Sequence, residues 1–276
     1  MAIETHNKED AGTESELNLT INVNGSDILD QNSVVFQEPL NSFDHTARGN
    51  AGFTFPMEID TFDTNLLTDS SIRLGIRGDD AWAPRNVFLF GRTDDESQVP
   101  FPLAIETDLD VSLSTNKGEG HLTTPIRLVH LGPIPEIRRV LLVISTGPND
   151  NDGTDDDIEL EIRGSNGTEL FREQFNDTPQ ADLEKNSANY YARDVRTPFT
   201  ESDLKGCRII LRILGKDAWH PYRVFVFGFD TTSEQGRPNA IIPLAAVWDW
   251  FTQDMDFMST DENEDPLEGI RDLPKV

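Results

Sequence analysis

A single cysteine, Cys207, in 276 residues excludes any intrachain disulfide, so the fold must be held by packing or by bound ions. Lysine is scarce, with Lys8, Lys117, Lys185, Lys205, Lys216 and Lys275 the complete set. Lys and Arg together number 23 against 50 Asp and Glu, a formal net charge of -27. Such a surface repels nucleic acid, which is excluded as a partner, and approaches an anionic membrane only where cations intervene. Cations are its natural counterpart, and an acidic, lysine-poor surface also suits a high-salt setting. No apolar run approaches the roughly 18 residues of a membrane span, and the first residues are polar rather than signal-like. The expected location is therefore cytoplasmic, or outside the cell by a non-classical route.

Catalytic constellations are missing as well. His6, His45, His121, His130 and His220 are scattered, and no nucleophile elbow accompanies them. Neither His nor Cys clusters as zinc requires, and no P-loop or dinucleotide fingerprint occurs. The expectation is a protein that is not an enzyme.

What is present is a globular composition, 36% hydrophobic with 16 Phe, and an internal repeat. Thr5, Asp10, Gly12, Thr13, Leu17, Leu19 and Ile21 fall on Thr146, Asn151, Gly153, Thr154, Ile158, Leu160 and Ile162 at a constant offset of 141. Asp80-Ala81-Trp82, Pro84 and Val87 to Gly91 fall on Asp217-Ala218-Trp219, Pro221 and Val224 to Gly228 at 137. Pro102-Leu103-Ala104 matches Pro243-Leu244-Ala245 at 141 again, and Ile126-Arg127 then matches Ile270-Arg271. The order is kept across both halves, with small loop insertions between blocks. The Pro/Gly-rich joint Gly132-Pro133-Ile134-Pro135 divides the chain into 1–135 and 136–276, each a domain with a C-terminal extension.

Within each copy the pattern is all-β. Ile158, Leu160 and Ile162 alternate with polar residues, as do Ile209, Leu211 and Ile213, and turn residues separate the runs. Val87 to Phe90 and Val224 to Phe227 are apolar on both faces, so something must cover their outer face: the sister domain, the segments 101–128 and 242–273, or another subunit. The second copy opens with the apolar run Val140 to Ile144, whereas the first starts in mid-pattern, which predicts a first strand that is short, missing or supplied by another chain.

The second copy carries Ile144 to Gly147, then Asn151-Asp152-Gly153-Thr154-Asp155, then Gly215 to Pro221 with its Asp-Ala-Trp-His-Pro turn ahead of a strand. In these landmarks it resembles the PLAT (lipoxygenase-homology) family, well over about 139–230 and less closely over 1–93. The resemblance implies two tandem antiparallel eight-stranded β-sandwiches. It also implies binding to lipid surfaces or protein partners, aided by calcium held in the loops. Carried over position by position, the family's first calcium site falls on Asn151, the Gly153 carbonyl, Asp217 and the Ala218 carbonyl, with Asp152 or Asp150 as a neighbouring acid where Asn151 lacks the charge. In the first copy it falls on Asp10, Gly12, Asp80 and Ala81. The second site maps to Thr154, Asp177 and Asp182, and the first copy has Gln37 and Ser42 at the two carboxylate places. Hard oxygen donors from separate loops are what calcium needs; turn carboxylates that merely cap backbone amides are the competing explanation.

Trp82 and Trp219 read as packing residues at one sandwich end rather than as bilayer anchors. The cluster Trp248, Trp250, Phe251 and Phe257 has no aromatic counterpart in the first copy and is either an interaction surface or the seal of the second domain. Three functions remain open. The first is a structural or assembly protein stacking through apolar outer strands, with a protein partner or its own copies. The second is a calcium-dependent module targeting a lipid surface or partner. The third is a carbohydrate-binding module.

Overall fold

The computed structural model describes residues 2–5, 15–23, 26–30, 51–54, 63–68, 71–78, 81–92, 100–106, 109–126, 128, 133–147, 149, 151–175, 183, 187–232, 240–248, 250, 257–260 and 269–275. The chain divides into two compact units, Met1–Asp94 with Pro102–Leu128, and Asp95–Phe101 with Val129–Val276. Among the described residues no helix is long and apolar enough to cross a membrane.

The strands of the first unit are β1 (Ala2–Thr5), β2 (Glu16–Val23), β3 (Ser26–Asp30), β4 (Ala51–Thr54), β5 (Ile72–Arg77), β6 (Pro84–Arg92), β7 (Pro100–Glu106) and β8 (Thr123–Ile126). Those of the second are β9 (Ile137–Thr146), β10 (Ile158–Arg163), β11 (Glu169–Phe175), β12 (Ala188–Phe199), β13 (Arg208–Ile213), β14 (Pro221–Phe229), β15 (Ile241–Val247) and β16 (Ile270–Asp272). In the first unit β4-β1-β6-β7 run side by side, and β3-β2-β5-β8 form the other sheet. In the second the orders are β12-β9-β14-β15 and β11-β10-β13-β16. Adding eight to each strand number converts one description into the other. The fold is all-β, as the periodicity predicts, and antiparallel, as the resemblance implies.

The register repeats too. Leu17, Leu19 and Ile21 stand opposite Ile76, Leu74 and Ile72; Ile158, Leu160 and Ile162 stand opposite Ile213, Leu211 and Ile209. A bulge at the end of the central pair also recurs: Glu4 and Thr5 face Asn86 and Pro84, and Ser145 and Thr146 face Arg223 and Pro221. The bulge falls just before the loops discussed below. Expected as short, missing or supplied by another chain, the first strand is present and short, four residues against ten in β9.

One sequence match is shifted. Ile126 pairs with Ile72, whereas Ile270 pairs with Arg212. The position opposite Ile209, equivalent to Ile72, is reached by Leu273, whose amide donates to Ile209 O at 2.8 Å. Ile126 and Leu273 are buried and Ile270 is half exposed, so the last strands correspond at an offset of 147 rather than 144. Short apolar-basic dipeptides recur too often to fix a register that backbone pairing decides.

Alternation places Ile158, Leu160 and Ile162 in one core with Ile209, Leu211 and Ile213 of the same sheet and Val140, Leu142, Ile144, Val224 and Val226 of the other. Each such residue buried contributes about 2 kcal/mol. Ile134, at the joint between repeats, belongs to this core. Cys207 is buried in it as well, and burial pushes its thiol pKa up. It is expected to resist iodoacetamide in the native protein and to react fully in denaturant, which mass spectrometry reads directly.

The other face of β10 carries Glu159 and Glu161, yet both are buried. Arginines cover them. Arg172 Nε and Arg212 Nη1 each donate to Glu159 at 2.8 Å. Arg212 Nη2 lies 2.5 Å from Glu161 Oε2, and Arg163 Nε donates to Glu161 Oε1 at 2.7 Å. The guanidinium fork suits this cross-strand ladder as a lysine would not. Phe225 and Phe227, on the outer face of β14, are also buried, and Trp248 packs edge-on against Phe225 at 4.8 Å. The segment following β15 therefore supplies part of the expected cover.

Candidate cation-binding loops

At one end of the second unit the loop after β9 meets the loop after β13. Thr154 Oγ1 accepts from Asp156 N at 3.1 Å, a local turn that presents the Asp156 carboxylate to Asp217 N at 2.6 Å. Asp155 N donates in return to Asp217 Oδ2 at 3.3 Å. A Cβ at Gly215 would collide with the Asp156 carboxylate, so this close approach needs glycine. The first unit has the same clasp in smaller form: a Cβ at Gly78, which has φ +141°, would collide with the Ser15 hydroxyl. Ser259 and Thr260 hydroxyls donate to the carbonyls of Lys216 and Gly215 at 3.0 and 2.6 Å and hold the second loop from the far side.

Beneath the clasp, Trp219 is fully buried, donates from Nε1 to Thr146 Oγ1 at 3.1 Å and exchanges backbone hydrogen bonds with Met258. Trp82 is equally buried and exchanges them with Leu113. Both tryptophans are core residues that brace a loop.

The expected first calcium site draws its donors from these two loops. Asn151 and Asp217 are exposed, and Gly153 and Ala218 are half-buried. Asp152 is not beside them in the solvent: its carboxylate is fully buried, accepts from Asn149 N and Nδ2 at 2.8 and 2.9 Å, and faces His220 Nδ1 at 3.4 Å. This geometry replaces its expected role as a compensating ligand with an internal one. Thr154 is buried with its hydroxyl committed to Asp156. In the first unit Ala81 is half-buried, while Asp10, Gly12 and Asp80 lie outside the described residues, as do Asp177 and Asp182 of the second site. Among the described residues no three His, Cys, Asp or Glu side chains gather as a metal cage. Asp155 was read only as part of the landmark turn and Asp156 escaped the sequence reading; the signal for Asp156 was the recurrence of Gly78 as Gly215.

The aromatic cluster divides. Trp250 is fully buried in the core, so of the two alternatives it belongs to the seal of the second domain and not to an interaction surface. Trp248 is half-buried against Phe225, and Phe257 is half-buried against the His220 ring at 4.3 Å. Phe251 lies outside the described residues.

Each unit is thus a two-sheet antiparallel β-sandwich, and in the second unit oxygen-bearing loops meet at one end. Residues 140–236, within the second unit, match the PLAT/LH2 domain model. A solved structure, Alpha Toxin from Clostridium Absonum, is similar at 17% identity over 48% of this chain, with a TM-score of 0.32. The match spans a third of that protein's length, 33%. No curated protein sequence matches the chain.

Proposed function

We propose that the chain is a non-enzymatic interaction protein built of two PLAT-like domains, which docks calcium-dependently through the loop end of its second unit. The observation that carries this is the clasp between Asp217 and the Asp155-Asp156 segment, which brings donors from two distant loops to one place. The donor set suits a hard cation: a side-chain oxygen of Asn151, the carbonyls of Gly153 and Ala218, and the exposed Asp217 carboxylate, all oxygen. Those four residues would hold calcium, with waters completing its shell. Bound calcium would supply positive charge where a chain of net charge -27 otherwise repels phosphate head groups or an acidic partner. Leu214, which opens the second loop, is 42% exposed and offers an apolar contact beside the carboxylates. The faces of β14 are already buried, so an assembly role through that strand loses its surface.

Millimolar calcium at constant ionic strength is expected to raise the melting temperature above that in EDTA, because a ligand of the native state stabilises it by mass action. Calcium is also expected to bring the protein down with anionic vesicles. Sedimentation of calcium-loaded protein with a protein partner but not with vesicles would redirect the docking reading. A melt that responds to bulk NaCl and not to calcium would end the calcium reading and leave the carboxylates as a solvated surface.

A further inference from the structure

The two repeats differ in one buried constellation beside these loops. Asp152 and His220 are both buried, and the offsets of 141 and 137 place Ala11 and Ala83 at their positions in the first repeat. Ala83 is itself buried, next to the tryptophan whose environment repeats. Gly147 joins the pair, since a Cβ there would collide with the Asp152 carboxylate. The first repeat has His6 at that position. A set of Gly147, Asp152 and His220 has thus been exchanged as a unit for His6, Ala11 and Ala83.

The exchange bears on what the pair does. Burying a carboxylate and an imidazole costs desolvation that two alanines avoid, and the first unit reaches the same strand order and register with alanines in place. The fold does not need the pair. Its location is specific: Asp152 sits between Asn151 and Gly153, and His220 lies two residues after Ala218. Asp152 Oδ2 ties down Asn149, Oδ1 faces His220 Nδ1, and Asp152 O accepts from His220 N at 2.9 Å, while Gly147 N donates to His220 O at 2.9 Å. Phe257 closes one side of the imidazole.

We infer that Asp152 and His220 are positioning residues that hold the Asn149 to Asp155 loop against the Gly215 to His220 loop and so raise the cation affinity of the second unit. This rests on the cation reading of the same loops. Partners behind metal ligands typically change metal affinity by roughly 10- to 100-fold when removed.

The test titrates calcium alone by isothermal calorimetry into the full wild-type chain and into an Asp152→Ala/His220→Ala chain, with melting temperatures in EDTA read in parallel. The double variant, which carries the first repeat's two alanines, is expected to melt close to wild type in EDTA and to bind calcium at least about tenfold more weakly. Wild-type affinity in the double variant would overturn the positioning role while leaving the cation reading intact. Absence of calcium binding in wild type would overturn both. If the double variant does not fold, His220→Gln, which keeps a donor facing Asp152, is compared with His220→Ala: affinity kept in the first and lost in the second supports the role, and equal affinity in both overturns it.

Discussion

Glu161→Ala is expected to lower the stability of the protein by about 3 kcal/mol. Glu161 is fully buried, and its removal leaves Arg212, whose side chain is 18% exposed, without the partner at 2.5 Å. Breaking a buried pair from one side costs about 3–5 kcal/mol, because the remaining charge is stranded. The lower end applies here, since Arg212 keeps Glu159 at 2.8 Å and Arg163 is open to solvent. A double replacement, Glu161→Met with Arg212→Leu, is expected to recover much of the loss, because packed apolar groups of similar volume serve a buried site as well as an ion pair does. Urea unfolding of the three proteins measures this directly, and a single-variant loss below about 1 kcal/mol would show the ladder to behave like an exposed surface pair.

The same residue sets an acid limb. Burial pushes the Glu161 pKa up, but hydrogen bonds from Arg163 and Arg212, with their charges, outweigh it and hold the carboxyl below the usual glutamate range. A depressed native pKa contributes stability that is complete above the unfolded value of about 4.3 and is lost as pH falls through the native value. Wild-type stability should therefore fall in the region below pH ~4, and the Glu161→Gln variant should show a shallower fall there.

Trp219→Ala is expected to cost about 3–5 kcal/mol, the usual range for removing a fully buried aromatic ring. Besides the cavity, the change frees Thr146 Oγ1 from its indole partner and loosens the Met258 segment that Trp219 braces. Trp219→Phe retains most of the buried area and forfeits the Nε1 hydrogen bond, for about 1–2 kcal/mol. Calorimetry should show the melting temperature dropping on the order of 10 °C for alanine and much less for phenylalanine. A bilayer anchor would behave oppositely: stability would be untouched and vesicle binding lost.

The Trp219 environment also shows how far sequence reading reaches. The residue lies between a predicted ligand turn and an apolar strand, and its repeat at Trp82 made a packing role legible. The Trp248 to Phe257 stretch was not legible in that way. Its sequence has no period, so nothing in the spacing says that Trp250 is buried in the core while Trp248 covers the outer face of β14. In the loops, the Gly-Thr-Asp and Asp-Ala-Trp turns were visible as motifs. The inward direction of Asp152 was not, because neighbouring Asn151 and Asp152 have equal claims in sequence and only the backbone turn assigns one to solvent and one to His220.

Sequence alone determined the all-β class, the twofold repeat, the register of β2 with β10 and the two landmark turns, because period-two alternation and glycine positions are local properties with one steric solution. Tertiary structure decided which carboxylates face outward, which aromatics are buried and that Ile126 corresponds to Leu273. Each of these depends on what a distant strand or loop places opposite the residue, and that partner is chosen by pairing and packing across more than a hundred residues of chain rather than by its neighbours.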